Sequence, residues 1–328
     1  MLRKTLILTL LLALAITGCA PASTPTEAPA PVASEISATE APATEAPAAT
    51  DGLTFTDDMG REITLTGTPE RIVSLAPSTT EILFAVGAGA QVVGRDEFSD
   101  YPEEAKALPS IGGSFGEYNV EAIVALEPDL VIAAEINTPE LVKQLEDLGV
   151  TVYYLGNPLT LEEMYGKLET VAQLTGHDVS ELVSSLQARV AAVDEKIMPL
   201  SARPSVFYEV DATDPSKPYS VGPGTFIHLL INRAGGANAV ELAGITDPYP
   251  QISLEQLVIA PPDIIILGDS MWGTTAESVA ARPGWDTLKA VVDGKIFAFD
   301  DNLVSRPGPR LIDGLEALAR LLHPEAFK

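Results

Sequence analysis

One pattern of fourteen residues occurs twice in this chain, and it constrains the fold more than any other feature of the sequence. Residues 119–132 and 253–266 align without a gap at an offset of 134 positions. Each copy has a polar residue suited to cap a helix, a glutamate two positions later, a short helical stretch, Pro-Asp and a β-branched run. We therefore expect two related α/β units, one in each half of the chain.

Short β-branched runs alternate with helical patterns along the whole of residues 53–328. The predicted strands are residues 71–75, 92–93, 130–133, 151–155, 205–210, 264–267 and 295–299. The predicted helices are residues 78–87, 140–148, 161–174, 179–198, 226–234, 254–259 and 311–322. Strand and helix alternation of this kind is typical of largely parallel sheets covered by helices.

The predicted helix 179–198, which Pro199 ends, lies between the two halves. At about 1.5 Å per residue it would be roughly 30 Å long, close to the width of a small lobe. We therefore expect an α/β protein of two lobes, residues 53–176 and 200–328, with central largely parallel sheets joined by a single long α-helix at residues 177–199.

The N-terminus has the layout of a secretory signal. Arg3 and Lys4 precede an apolar stretch, residues 6–16, that is too short to cross a bilayer as a mature helix. Cys19, the only cysteine, ends a run of small residues that resembles the lipobox of bacterial lipoproteins. The resemblance implies cleavage after residue 18 and lipidation of Cys19; an ordinary signal peptide followed by a chance cysteine is the alternative. A single cysteine also excludes an internal disulfide.

Residues 20–50 consist mostly of Ala, Pro, Thr, Ser and Glu, which cannot bury enough surface to offset chain entropy. We expect residues 19–52 to be a flexible tether. The formal net charge is −26, and without residues 1–18 the chain has 18 basic and 46 acidic residues, or −28. Such a surface repels nucleic acid and anionic lipid headgroups, so we expect neither as a partner beyond the lipid anchor itself.

Candidate catalytic groups are few. Ser78 and Glu81 have the spacing of a helix capping box, which we favour over a nucleophile because no histidine is near in sequence. His177, His228 and His323 share no metal-ligand spacing. The glycine clusters lack the spacing or the lysine of nucleotide-binding loops. We therefore expect no catalytic residue, no metal and no cofactor.

Glu121 and Glu255 occupy the same position in the two copies of the repeat, in the first turn of a predicted helix. There a carboxylate stabilises the helix dipole by about 0.3 to 1 kcal/mol. The functional alternative is a pair of acidic knobs, one on each lobe, that meet basic sockets on a two-subunit partner. The repeat fits both interpretations.

Several aromatic residues lie in predicted loops: Phe98, Tyr101, Phe115, Tyr118 and Tyr249. Phe115 and Tyr249 each precede a paired glutamate by six residues, which would place them on opposing lobes beside one cleft. Flat rings at such a cleft could sandwich a large planar ligand. Local packing of each ring is the alternative.

Residues 53–328 resemble the solute-binding proteins of ABC importers for corrinoids and ferric siderophores, the class with one rigid interlobe helix. The resemblance rests on residues 71–83, on both Glu and Pro-Asp segments, and on Ser-Arg-Pro-Gly-Pro-Arg at 305–310. Phe-Ser-Asp-Tyr-Pro-Glu-Glu-Ala at 98–105, followed by Leu-Pro and then Gly112, is similar to the cobalamin-binding branch.

The resemblance implies that Phe98, Phe115 and Tyr249 contact the corrin, although cobalamin binders often have Trp at two of these places. It implies a cleft-facing position near the ligand for Arg306, and we add Tyr101 to the expected ligand-binding residues.

The resemblance also implies that Glu121 and Glu255 dock on arginines of a permease dimer, and that the lobes move little, like a spring. The expected protein is a monomeric, lipid-anchored, extracytoplasmic receptor that hands a corrinoid to a permease driven by an ATPase. One alternative keeps this role for a ferric siderophore or haem. Others are a surface-anchored α/β hydrolase sensitive to Ser78→Ala, and a structural or adhesive lipoprotein.

Overall fold

The structure is a computed structural model that describes residues 52–113 and 117–328. The predicted signal peptide, Cys19, nearly all of the predicted tether and Phe115 therefore lie outside the described residues. No helix among the described residues is long and apolar enough to cross a membrane.

The first lobe is built on a sheet of four parallel strands in the order β4-β3-β5-β6, preceded by an antiparallel hairpin of β1 and β2. The strands are β1 (Leu53–Thr56), β2 (Glu62–Leu65), β3 (Ile72–Ser74), β4 (Val92–Arg95), β5 (Leu130–Ala134) and β6 (Val152–Leu155). The helices are α1 (Pro77–Ala85), α2 (Val120–Ala125), α3 (Pro139–Asp147) and α4 (Leu161–Thr175). The hairpin is an addition to the predicted elements.

A single helix, α5 (Ser180–Ile197), follows the first lobe. Its 18 residues give a length of about 27 Å. Leu186, Val190 and Val193 on its buried face belong to one continuous apolar core that also contains residues of both lobes. The long predicted helix is therefore present, and it is packed against the lobes along its length.

The second lobe contains four parallel strands in the order β9-β7-β10-β11, with β8 antiparallel to the end of β7. The strands are β7 (Ser205–Asp211), β8 (Tyr219–Ser220), β9 (Ala237–Asn238), β10 (Ile264–Leu267) and β11 (Ile296–Ala298). The helices are α6 (Phe226–Arg233), α7 (Ala239–Leu242), α8 (Leu254–Ile259), α9 (Ala276–Ala280), α10 (Lys289–Val292), α11 (Asn302–Ser305) and α12 (Leu311–Leu322).

The two sheets share more than strand order. Ile72 of β3 pairs with Leu130 of β5, and Val206 of β7 pairs with Ile264 of β10, so the sequence offset of 134 holds for both strands of the pair. The predicted α/β fold of two lobes with largely parallel sheets is confirmed.

The Pro-Asp motif has the same structural role in both copies of the repeat. The Asp129 carboxylate accepts a hydrogen bond of 2.9 Å from the backbone N–H of Arg71, directly before β3. The Asp263 carboxylate accepts one of 2.9 Å from the N–H of Ser205, the first residue of β7. Each aspartate thus fixes the start of the strand beside its own, which explains why the motif and the strand register repeat together.

Candidate ligand-binding site

A cavity of about 470 Å³ is lined by residues of both lobes. On the first lobe, the wall comes from segments that follow the carboxyl ends of β3 and β5, including Ser78 and Glu135. On the second lobe, it comes from the segment after β10 and from α11. Open parallel sheets bind ligands at the carboxyl ends of their strands, so the fold itself positions this cleft.

Three of the five expected ligand-binding residues line the cleft: Phe98, Tyr249 and Arg306. Tyr101 does not. Its ring lies 4.1 Å from the guanidinium carbon of Arg310, in a separate cavity of about 650 Å³ that borders α5. The fifth residue, Phe115, is outside the described residues.

Apolar side chains face the cleft from both lobes. The first lobe contributes Phe98 and Ile136, and the second contributes Tyr249, Met271 and Trp272. All five are exposed, and Trp272 is the most exposed of them at 69%. Trp272 is not among the ligand-binding residues expected from the sequence. The signal for it is its position in a loop directly after a predicted buried strand, where cleft residues of such sheets lie.

The charge of Arg306 is compensated within the protein. Its guanidinium donates to Glu81 Oε1 at 3.0 Å, to Asp100 Oδ1 at 2.6 Å and to the Phe98 carbonyl at 3.3 Å. Arg310 donates to the same glutamate, with its Nε 2.7 Å from Glu81 Oε2. Because Glu81 belongs to the first lobe and both arginines to the second, this cluster joins the lobes beside the cleft.

The expected capping box of Ser78 and Glu81 is wrong. Helix α1 begins after Ala76 with Pro77 in its first turn, and Ala76 makes no side-chain cap. The Glu81 side chain is only 1% exposed, and its carboxylate is bound to arginines 225 and 229 residues away. A buried carboxylate needs charged partners, which outweigh a local contact to a backbone N–H.

Carboxylates give the cleft a negative character. Asp301 accepts a hydrogen bond of 2.6 Å from the Tyr208 hydroxyl, and burial raises the pKa of Asp301 above its usual value. Burial, and then the charges of Glu135 and Asp301, also raise the pKa of Tyr249, so its phenol stays neutral. Among the described lining residues, Arg306 is the single basic side chain, and it is already paired.

The structure places Glu121 and Glu255 where the repeat predicted them, exposed in the first turns of α2 and α8. Asn119 caps α2 by accepting from the Ala122 N–H at 2.9 Å. At α8, a hydrogen bond from the Ser253 side chain lowers the pKa of Glu255.

The surroundings of these two glutamates differ. Glu121 lines a groove of about 870 Å³ together with Glu117 and Glu140. Glu255 shares its helix with Val258 and Ile259, which are exposed apolar side chains.

The histidines have structural partners away from the cleft. His177 is 3.1 Å from Gln91 Oε1, His228 is 2.9 Å from Asn232 Nδ2, and His323 is 3.1 Å from the Gly235 carbonyl. Within residues 52–113 and 117–328, no group of three or more His, Cys, Asp or Glu side chains is arranged to hold a metal ion. Ser78 lines the cleft, and none of the described lining residues is a histidine that could act as its base.

Comparison with known proteins places this geometry in a family. The family model described as periplasmic binding protein matches residues 72–303. An uncharacterized ABC transporter substrate-binding lipoprotein of Bacillus subtilis, YvrC, is 34% identical over 84% of this chain and 87% of its own. A cobalamin-binding protein of Halobacterium salinarum is 31% identical over 83% of this chain and 74% of its own.

A solved structure agrees in fold. The periplasmic heme-binding protein RhuT of Roseiflexus, in apo form, superimposes with a TM-score of 0.70 and 30% identity, over 79% of this chain and 100% of that one. The family match covers well over half of the chain and includes most of the residues of both lobes that line the cleft. The chain is a member of the periplasmic binding protein family.

Proposed function

We propose that this protein captures a corrinoid in the cleft between its lobes and delivers it to an ABC permease. The observation that carries the proposal is the chemistry of the cleft: aromatic faces from both lobes surround a space in which Arg306, the single cation among the described lining residues, is already paired. Such a site suits a large planar ligand without a strong negative charge.

A corrin ring is decorated mainly with uncharged amides. Cleft groups such as Asp301, Asn157 and Asn302 have oxygens that accept hydrogen bonds from amide N–H groups. Haem carries propionates instead, and catecholate siderophores are anionic. In this cleft those anions would lie beside Glu135 and Asp301, with Arg306 already committed to Glu81 and Asp100.

Haem is the second candidate, since a heme-binding protein shares the fold at a TM-score of 0.70. Tyr249 and Met271 line the cleft and carry atoms that can bind iron. However, binding of ferric iron by a tyrosine requires the phenolate, and the pKa of Tyr249 is raised. Ligation of iron by Tyr249 would therefore cost more than ligation by an unperturbed tyrosine.

Calorimetric titration tests the ligand. Cyanocobalamin and cobinamide should each bind one-to-one to protein beginning at residue 20, and haemin and a ferric catecholate should not. Tyr249→Ala should strongly weaken binding because it removes one of the two exposed rings, Tyr249 and Trp272, that the second lobe presents to the cleft, whereas Tyr249→Phe should retain it. Binding of haemin in place of both corrinoids would discard the corrinoid and keep the receptor role.

For the permease, we propose that Glu121 and Glu255 dock on basic sockets of its two subunits, one glutamate on each lobe. The double charge reversal Glu121→Arg with Glu255→Arg should abolish stimulation of the transporter ATPase in reconstituted vesicles and leave ligand affinity unchanged. Glu277→Arg is a matched control, because Glu277 is also an exposed first-turn glutamate of the second lobe. Stimulation that survives the double reversal would exclude this docking mode.

We further propose that residues 1–18 are removed, that Cys19 is lipidated, and that residues 19–52 tether a monomeric extracytoplasmic receptor with lobes at 53–176 and 200–328 around the helix at 177–199. The lipoprotein description of the Bacillus subtilis relative supports the anchor. The chain itself would hydrolyse nothing. Cys19→Ala should move the protein from the membrane fraction to the soluble one, and unchanged fractionation would argue against the anchor.

A further inference from the structure

The loop between β10 and α9 is fixed at its base. Asp269 is buried, and its Oδ2 accepts a hydrogen bond of 2.7 Å from the Thr274 hydroxyl. The Ser270 hydroxyl donates to the Phe299 carbonyl at 3.2 Å. A side chain at Gly268 would come within 2.7 Å of the Tyr208 ring, so the loop starts pressed against the core.

The tip of this loop presents apolar side chains to solvent. Met271 is 56% exposed and Trp272 is 69% exposed, and Gly273 follows in the left-handed conformation at φ 104. The other tryptophan of the chain, Trp285, is 1% exposed and packs edge-on against Phe207. One tryptophan thus fills the core, while the other is held out of it on a fixed loop.

The exposed side chains of the loop tip face the cleft between the lobes. Met271 and Trp272 line the same cavity as Phe98, Tyr249 and Arg306. A large apolar patch that remains exposed on a rigid support is typical of a binding surface rather than of loose packing. A second ring wall on the same lobe as Tyr249 would enlarge the flat apolar area available to a ligand.

We propose that Trp272 is a ligand-contacting residue that stacks on the face of an uncharged conjugated macrocycle held in the cleft, with Met271 packing beside it. The inference deepens the proposed function and rests on it. Trp272 would then contribute affinity and select for ligands that are flat and wide enough to reach from Tyr249 to the loop tip. A contact of Trp272 with the permease at the rim of the cleft is the competing interpretation.

The first test is calorimetric titration with cyanocobalamin. Trp272→Ala should weaken binding about tenfold, the usual scale for loss of a buried aromatic anchor. Trp272→Phe should recover most of the affinity because it restores a flat ring. Met198→Ala is the matched control, since Met198 is an exposed apolar residue at the end of α5 and outside the cleft lining.

The second test is hydroxyl-radical footprinting read by mass spectrometry on the unaltered protein. Cyanocobalamin should slow oxidation of Trp272 and Met271, with Met198 as the exposed reference and Trp285 as the buried one. Wild-type affinity in Trp272→Ala together with unprotected Trp272 would overturn the inference and leave the proposed function standing. Unchanged affinity with impaired ATPase stimulation would assign Trp272 to the permease. No cyanocobalamin binding by the wild type would overturn both proposals.

Discussion

The two lobes have the same frame but different chemistry at the ends of their strands. Ser74 of β3 pairs with Ile132, and 134 residues later Tyr208 of β7 pairs with Ile266. In the first lobe, the Ser74 hydroxyl lies 2.6 Å from that of Thr79 within a buried, uncharged hydroxyl cluster. In the second lobe, the corresponding Tyr208 hydroxyl donates to the Asp301 carboxylate that lines the cleft.

The difference continues at the next position. Leu75 in the first lobe is apolar and fully buried, whereas Glu209 in the second forms a buried ion pair with Arg282. Net charge differs as well: residues 53–176 have 6 basic and 21 acidic side chains, or −15, and residues 200–328 have 10 and 16, or −6. The strand frame is thus the same in both lobes, while the strand ends and the net charge, which carry function in such folds, differ.

The largest effect is expected when the buried pair of the second lobe is broken. Arg282→Met leaves Glu209 buried without its cation, which should cost about 3 to 5 kcal/mol of stability at neutral pH in urea unfolding. Burial already raises the pKa of Glu209, so without Arg282 this carboxyl should take up a proton and the loss should shrink as the pH falls.

A double variant can make the end of β7 in the second lobe as apolar as the end of β3 in the first. Glu209→Leu combined with Arg282→Met places a leucine at residue 209, which corresponds to Leu75 in the first lobe. The double variant should regain most of the stability, because neither charge remains buried. Arg320→Met, at an exposed arginine, should cost little. If Arg282→Met alone were as stable as wild type, the charged strand end would have no structural role.

The next effect concerns the contact between the lobes. Glu81→Gln removes the carboxylate that Arg306 and Arg310 share, and it should cost about 2 kcal/mol, the scale of hydrogen bonds to charged groups. Ligand affinity should also fall, since Arg306 holds the carbonyl of Phe98. Unfolding and calorimetric titration measure the two effects. Glu104→Gln is the control, because Glu104 is exposed and lines the same cavity beside α5 as Glu81. Equal stability of both variants would show that the contact between the lobes does not depend on this cluster.

The sequence predicted the parts of this comparison that depend on local pattern. Apolar periodicity, helix-start signals and the Pro-Asp motif act over a few residues. They predicted the repeat, whose copies form α2–β5 and α8–β10, and with it the strand at 264–267. The expected positions of Phe98, Tyr249 and Arg306 beside one cleft came from the family resemblance and, for Tyr249, also from its place six residues before Glu255.

Contacts between distant residues could not be predicted in this way. Ser78 and Glu81 have the spacing of a capping box, and nothing within a few residues reveals that Glu81 binds Arg306 and Arg310 more than 220 positions later. Trp272 gives no periodic signal either, because its exposure depends on hydrogen bonds that fix the base of its loop. Hydrogen-bond partners are decided by tertiary packing, which a short sequence window does not contain.

A smaller effect should separate the two docking glutamates. Glu255→Gln should raise the receptor concentration for half-maximal ATPase stimulation about tenfold, and Glu121→Gln only about threefold. The reason is the surroundings: Glu117 and Glu140 keep the groove around Glu121 negative, whereas Glu255 stands beside apolar Val258 and Ile259. Equal shifts for the two variants would mean that the partner reads each carboxylate alone and not the surface around it.

The smallest effect should be shared by both lobes, because the two Pro-Asp aspartates have one role. Asp129→Asn and Asp263→Asn each weaken a hydrogen bond to the start of the neighbouring strand, and each should cost about 1 kcal/mol at pH 7 in urea unfolding. Asp286→Asn, at an exposed aspartate, is the control.

The dependence of this cost on pH follows from the direction in which the pKa of Asp263 is shifted. Burial opposes ionisation of Asp263, but the Ser205 N–H and Lys289 outweigh it and lower its pKa. A lowered pKa gives stability that is present above the unfolded value of about 3.9 and is lost as the pH falls through the folded value. The cost of Asp263→Asn should therefore be constant from pH 7 to 5 and vanish in more acidic solution. A cost that persisted there would mean that the asparagine disturbs β7 by packing rather than by loss of charge.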